Sequence, residues 1–286
     1  MPPNTIQQIL LQDTAKLAET LALDVASARL EVQYLLQHVL KASRAWLLAH
    51  PEAVLSEIQQ ADHNALMLRR LHGEPIAYLL GEREFFGLNF KVSPATLIPR
   101  PETELLVELA LQRILPHGKC RVLDLGTGSG AIALSIAHSR PAAKVLACDV
   151  SVAALDVART NTQRLGIDNV LFMQSNWFAA LDAQLFDLIV SNPPYVKKGD
   201  PHLQYGDVRF EPPFALASGD DGLRDIRHII IHAKPYLNCG GWLLLEHGYD
   251  QAMQVRELLQ QNGFGEVFSV CDLAGIERVS GGSWYK

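Results

Sequence analysis

Near the middle of the chain, Val190-Ser191-Asn192-Pro193-Pro194-Tyr195 sets an amide, two prolines and an aromatic ring at the end of an apolar run. That run, Phe186 to Val190, is interrupted only by Asp187 and has the pattern of a buried parallel strand. Proline cannot donate to a ladder, so the strand stops there. In open α/β sheets ligands bind beyond the carboxyl ends of strands, which puts Asn192 at the rim of such a site. Asn192 offers one carbonyl oxygen and one NH2 group, neither ionisable near neutral pH. Pro193 adds a backbone carbonyl, and neither proline has an N–H. This rim suits a planar NH2 group, with one hydrogen donated to the Asn192 oxygen and one to the Pro193 carbonyl. Tyr195 would lie against the flat face of the same group. The plainer alternative is a strand end followed by a rigid turn, because Asn-Pro and Pro-Pro are ordinary loop signals.

A second set of residues points to a nucleoside. Cys120 to Leu125 reads as a strand, Gly126-Thr127-Gly128-Ser129-Gly130 as a tight turn, and Ala131 to His138 as a helix. Gly126 and Gly128 let the backbone approach a ligand, and the turn N–H groups can cradle a polar or anionic group. Asp149 ends the following strand, where an acid can accept from both ribose hydroxyls. Gly126-x-Gly128-x-x-Ala131 also satisfies the dinucleotide fingerprint, so an NAD-dependent oxidoreductase stays open, as does a non-catalytic nucleoside-binding module. The Asn-Pro-Pro-Tyr end separates these readings. Hydride transfer needs no array of NH2 acceptors, whereas methyl transfer to a planar nitrogen does.

The elements that must position these residues follow from the pattern along the chain. Residues 1–72 read as a small helical bundle, with Val32, Leu35, Leu36, Val39 and Leu40 on one face, Asp24 and Ser43 as N-caps, and Ser56 with Gln59 as a capping box. Residues 73–99 are punctuated by Gly and Pro around short β-prone pieces and read as a linker containing a hairpin. Residues 100–286 alternate strand and helix, which gives an α/β, doubly wound, mostly parallel sheet of seven strands. The expected helices include one from Asp221 to Leu237, before a strand at Gly241 to Glu246. The formal net charge of −6 and the lack of a Lys/Arg run give no support for a nucleic-acid partner. Cys120, Cys148, Cys239 and Cys271 form no C-x-x-C, so they read as reduced thiols without disulfide or metal. No apolar stretch has the length of a membrane span and the N-terminus shows no signal-peptide pattern, so a cytoplasmic protein is expected.

The same motifs, in this order, resemble the S-adenosylmethionine-dependent amino-methyltransferases: Asp124 to Gly130, Asp149 and Asn192 to Tyr195. The last tetrapeptide is shared with DNA adenine methyltransferases, so an adenine-N6 methyltransferase acting on nucleic acid is a competing reading. Further stretches narrow the resemblance to the HemK/PrmC family. They are Gly73 to Tyr78, Glu84 to Gly87, Ile98 to Glu104, Gln174 to Trp177 and Leu245 to Gly248, and the resemblance covers nearly the whole chain. It implies an S-adenosylmethionine-dependent protein-(glutamine-N5) methyltransferase acting on class I peptide chain release factors, with the helical segment as a substrate-protein binding domain. By position, it implies that Gly126, Thr127, Gly128, Ser129 and Gly130 contact the methionine part of the cofactor and Asp149 the ribose. Trp177 then lies by the adenine, and Asn192, with Pro193, Pro194 and Tyr195, holds the substrate amide. Position 176 is Asn where related methyltransferases lead one to expect Asp, and an Asn oxygen can take the same adenine amino group. The Arg100 to Glu104 segment is expected near the cofactor.

Overall fold

The computed structural model describes residues Thr5–Tyr285. The chain forms two compact units. One runs to Gly81 and takes in Gln204–Phe210; the other comprises Glu82–Leu203 and the chain from Glu211 onward.

The first unit is helical: α1 (Ile6–Leu21), α2 (Val25–Leu40), α3 (Arg44–Ala49), α4 (Glu57–Leu71) and α5 (Ile76–Leu80). Thr5 with Gln8 and Ser56 with Gln59 form capping boxes on α1 and α4, and Asp24 and Ser43 cap α2 and α3. Each such cap contributes about 1 kcal/mol. Ile9 and Leu17 of α1, Val32 and Leu36 of α2, and Met67 of α4 close one core cluster. Arg70 is buried in this unit. It donates to Glu31 at 2.6 and 3.2 Å and to Asp207 at 3.1 Å. The segment 204–210 therefore belongs to the helical unit through an ion pair as well as through packing. The helix α5 falls inside the stretch read as linker. Pro75 precedes it and Gly81, at φ 74°, ends it, the usual Pro-start and Gly-stop asymmetry.

The second unit opens with the hairpin β1 (Glu82–Phe85) and β2 (Leu88–Lys91). Next come α6 (Glu104–Arg113), β3 (Arg121–Leu125), α7 (Ala131–Ser139), β4 (Lys144–Asp149), α8 (Val152–Leu165), β5 (Val170–Gln174) and β6 (Phe186–Ser191). The unit ends with α9 (Arg224–Ala233), β7 (Leu237–Glu246), α10 (Ala252–Gln261), β8 (Gly265–Cys271) and β9 (Glu277–Trp284). The seven strands lie in the order β5-β4-β3-β6-β7-β9-β8, with only β9 antiparallel to its neighbours. Alternate residues of the central strands supply both faces. Val122, Leu188 and Leu244 join α6 and α7 in one cluster, and Leu123, Ile189 and Leu243 join α9 and α10 in the other. Burial on both faces is why these strands read as continuous apolar runs.

Two expectations shift. The helix expected over 221–237 is shorter, because Pro235 cannot donate and the chain turns through a 3-10 segment at Lys234–Tyr236. The strand β7 then starts at Leu237, not at Gly241, with a register shift opposite Phe186 and Leu188. All four cysteines are free, and among the described residues no helix is long and apolar enough to cross a membrane.

Candidate active site

The glycine turn and the Asn-Pro-Pro-Tyr segment leave the sheet side by side. Strands β3 and β6 pair in parallel with Leu125 opposite Ser191, and the Ser191 hydroxyl donates to the Leu125 carbonyl at 2.6 Å. Gly126 and Asn192 are therefore the next residues on two tied, adjacent strand ends. Between and above them lies a cavity of about 240 Å³.

On the β3 side the wall is mostly backbone. Gly126, Gly128 and Gly130 have φ of 75°, 57° and 84°, conformations in which an L side chain is strained. The N–H groups of Gly126 and Thr127 donate to the Cys148 carbonyl at 2.8 and 2.9 Å, which anchors the turn on β4. Asp149 accepts from Gly128 N at 2.8 Å and from Ser151 N at 2.9 Å, one donor per carboxylate oxygen. Burial pushes its carboxyl above the usual carboxylate range, and these N–H groups oppose the shift. Each oxygen keeps a lone pair for a ligand hydroxyl. Asn161 bridges the turn to the hairpin, donating to Ser129 O at 2.9 Å and to Lys91 O at 3.0 Å. Behind the turn, Asp124 is fully buried and accepts from the Thr127 hydroxyl at 2.6 Å. Burial raises its carboxyl to about 7 despite that hydrogen bond, with the Asp149 charge adding to the rise.

Trp177 closes the other side of this end of the cavity. A Cβ on Gly126 would be in ordinary contact with its ring at 3.5 Å, which places the indole against the turn. Trp177 itself has φ 52°, and Ser175 braces it by donating to Trp177 O at 2.7 Å and accepting from Ala180 N at 3.0 Å. A bulky residue held in this region marks stored strain and a site worth attention. Asn176 and Val150 share that wall.

On the β6 side the wall is a side chain. Asn192 Nδ2 donates to the Thr103 hydroxyl at 3.2 Å. Asn192 Oδ1 is buried and has no hydrogen-bond partner. An acceptor left in that state costs about 1–3 kcal/mol, unless a ligand donor meets it. Pro194 and Thr103 also line the cavity, as does Arg100, which is paired with the buried Glu211.

Of the residues singled out in the sequence, Gly126 to Ser129, Asp149, Trp177, Asn192 and Pro194 line the cavity. Gly130, Pro193 and Tyr195 are not among its lining residues. Gly130 sits behind the turn as the N-cap of α7, close against Leu134 and Ala158. Tyr195 turns its hydroxyl to Glu246 at 3.3 Å, and its carbonyl accepts from Gln251 at 3.0 Å. Burial, and after it the Glu246 charge, pushes the phenol well above its usual range. Arg100 and Thr103, from the Arg100 to Glu104 segment expected near the cofactor, line the cavity, as do Phe214 and Asp225, which were not singled out. Nothing in the sequence flags Phe214 or Asp225. A glycine cradle, an acid beside it, an indole over it and an open acceptor at the far end match a nucleoside-bearing methyl donor and a planar NH2 acceptor.

Comparison with known proteins bears on the same features. Residues 101–210 match the family model described as the methyltransferase small domain, and residues 10–81 the PrmC N-terminal domain. The release factor glutamine methyltransferase of Vibrio cholerae is 50% identical over 260 residues, covering 90% of each chain. That of Escherichia coli is 49% identical over 260 residues, covering 91% of this chain and 94% of its own. In fold alone, a methyltransferase structure from Pyrococcus furiosus is similar at TM-score 0.54 and 20% identity, covering 78% of this chain and 100% of its own. With about half of its residues shared over nine-tenths of its length, the chain belongs to the release factor glutamine methyltransferase family.

Proposed function

We propose that this enzyme transfers a methyl group from S-adenosylmethionine to the side-chain amide nitrogen of a glutamine in a peptide chain release factor. The acceptor is the glutamine of the Gly-Gly-Gln motif in class I factors, and the reaction runs in the cytoplasm. The observation that carries this reading is the buried, unpartnered Asn192 Oδ1 on the wall of a cavity whose neighbouring wall is the glycine turn.

The sulfonium of the cofactor supplies an activated methyl group. The protein's task is to present a poor nucleophile, because the amide lone pair is delocalised into its carbonyl. Asn192 Oδ1 accepts one substrate N–H and the Pro193 carbonyl the other. Fixing both N–H bonds aims the π-face of the nitrogen and stabilises positive charge developing there, which combines orientation with electrostatic preorganisation; as the N–C bond forms the methyl–sulfur bond breaks, and the methylated amide sheds one proton to water. On the other side, Asp149 takes the ribose hydroxyls, the turn from Gly126 to Gly130 the methionine part, and Trp177 with Asn176 the adenine.

Glycines flanking the target add little side-chain contact, so most binding energy must come from surface remote from the reacting amide. The helical unit is our candidate for that surface. A short Gly-Gly-Gln peptide should then be a poor substrate and the whole factor a good one. Mass spectrometry of the factor after incubation with enzyme and cofactor should find one added methyl on that glutamine. No methyl there, or equal methylation of unrelated glutamines or of adenine in DNA, would overturn the substrate assignment.

A further inference from the structure

The two ends of a side-chain amide have nearly the same shape, so something must decide which end of Asn192 meets the substrate. We infer that Thr103, backed by Glu246, is a positioning pair that holds the Asn192 amide with its carbonyl oxygen toward the cavity. This deepens the reading of Asn192 as the acceptor for the substrate amide and rests on it.

Three elements bring the groups together. Strands β6 and β7 pair with Ser191 opposite Leu245, so Asn192 and Glu246 are the next residues on adjacent strands. Thr103 comes from the 3-10 turn that leads into α6 and is buried. Its oxygen accepts from Asn192 Nδ2 at 3.2 Å. A threonine hydroxyl has one hydrogen and two lone pairs, so the destination of that hydrogen fixes what Asn192 can offer it. Glu246 is 1% exposed. Its Oε1 accepts from the Tyr195 hydroxyl at 3.3 Å, and its Oε2 is buried with no partner of its own. The Thr103 hydroxyl bears on the same carboxyl and counters the effect of its burial, as do the Arg278 charge and the Tyr195 hydroxyl. An ionised carboxylate only accepts. With the Thr103 hydrogen directed to an ionised Glu246, its lone pairs face Asn192, and only the NH2 end can sit against them. The reverse orientation would set Asn192 Oδ1 against the Thr103 oxygen, acceptor to acceptor, and present NH2 to a substrate NH2.

Two substitutions separate this from a packing role. Thr103→Val keeps the shape and removes the acceptor. Glu246→Gln should reverse the relay. Tyr195 still donates to the new amide oxygen, the new NH2 donates to Thr103, and the freed Thr103 hydrogen turns to Asn192. The measurements are kcat and KM with a release factor as methyl acceptor, cofactor affinity by calorimetry, and neutron diffraction from crystals of deuterated enzyme. Thr103→Val and Glu246→Gln should each lower kcat roughly tenfold to a hundredfold, the range for groups that orient a functional side chain. Cofactor affinity should not move, and Thr103→Ser should recover most of what Thr103→Val loses. The nuclear density should put the deuterons of Asn192 on the Thr103 side in the wild type and away from it in Glu246→Gln. A wild-type kcat in both Thr103→Val and Glu246→Gln would overturn the inference, as would Thr103→Ser as slow as Thr103→Val, or wild-type deuterons facing the cavity. Should Thr103→Val fail to fold, Glu246→Gln and the wild-type density decide. A wild-type enzyme that methylates no glutamine refutes the proposed function instead, and the nuclear density still decides the orientation of Asn192.

Discussion

The carboxyl ends of β3 and β6 are neighbours in the sheet, and they meet the same cavity with opposite habits. At the β3 end Asp149 and the start of the glycine turn hold partners before any ligand arrives, while Asp124 Oδ1, behind the turn and off the cavity, is buried without one. Both Asp149 oxygens hold backbone N–H groups, and the turn is pinned to Cys148. At the β6 end one acceptor, Asn192 Oδ1, is buried and open. Under the proposed function the first end is scaffold and binding site at once, so damage there should cost stability and cofactor affinity together. The second holds a polar atom whose unpaired burial opposes folding, so damage there should cost catalysis and spare stability.

The widest split is expected at Asn192. Asn192→Ala removes both the open acceptor and the bond to Thr103, which roughly offset, so folding stability should change by less than about 1 kcal/mol. Turnover should fall about 10²–10³-fold, roughly 2.7–4 kcal/mol of transition-state stabilisation. Steady-state kinetics beside a urea titration reads both quantities. Near-normal turnover would break the comparison at its root. Asp149→Ala should fail in both ways at once. Each ribose hydroxyl bond lost weakens cofactor binding by about 1.5–3 kcal/mol, and the orphaned N–H groups of Gly128 and Ser151 lower stability by about 1–3 kcal/mol. Cofactor affinity that survives the substitution, with the fold intact, would remove Asp149 from the site.

The two strand ends were legible in the sequence because their chemistry is local. Gly126, Gly128 and Asn192 sit next to breakers that end apolar runs, so type, spacing and strand position coincide. The support behind them is not local. Thr103 reaches Asn192 across 89 residues of sequence, and only the sheet order brings Glu246 beside them. Tyr195 is tied to a similarly distant partner. An aromatic ring in the motif reads as a substrate platform, yet its hydroxyl finds Glu246, a partner that the sequence does not announce. Elsewhere, Gly241 read as the start of a strand. The paired residues begin earlier, at Leu237, because the sheet accommodates Gly240 and Gly241 at a register shift.

Both ends also hide a carboxyl, and pH should sharpen the contrast. Asp124 and Glu246 are each raised to about 7 by burial. Thr127 opposes the shift and Asp149 adds to it at Asp124; Thr103, Arg278 and Tyr195 oppose it and Glu102 adds to it at Glu246. Because the folded values lie above the unfolded ones, 3.8 and 4.5, each group's stabilisation is complete below its unfolded value and is lost as pH rises toward about 7. Across that window each contributes a downward slope of up to about 1.4 kcal/mol per pH unit, flattening above it. Denaturant titrations at several pH values should show Asp124→Asn and Glu246→Gln each removing one proton's worth of slope. Catalysis should separate them. Protonated Glu246 no longer takes the Thr103 hydrogen as an acceptor only, so wild-type kcat should fall below about pH 7, and Glu246→Gln should lack that limb. A slope unchanged in both variants would show that neither carboxyl is held neutral.

The smallest effect tests whether the glycine turn is a binding surface or only a turn. Gly128 and Gly166 share a conformation, φ 57° and 65°, and an added Cβ would meet nothing within 4 Å at either. They differ in place. Gly128 lines the cavity, and Gly166 caps the C-terminus of α8. Alanine at each should carry similar left-handed strain, offset in part by a less flexible unfolded chain, for a net loss of about 1 kcal/mol. The matched strain makes Gly166→Ala the control. The open space beside Gly128 is the space a cofactor would fill, so Gly128→Ala should weaken cofactor binding while Gly166→Ala leaves it unchanged. Calorimetry on the pair isolates close approach from backbone strain, since the strain term cancels between them. Equal cofactor affinity in the two variants would mean that the ligand does not pack on the turn. The β3 end would then be scaffold alone, and the burden of holding the nucleoside would move to Trp177 and Asp149.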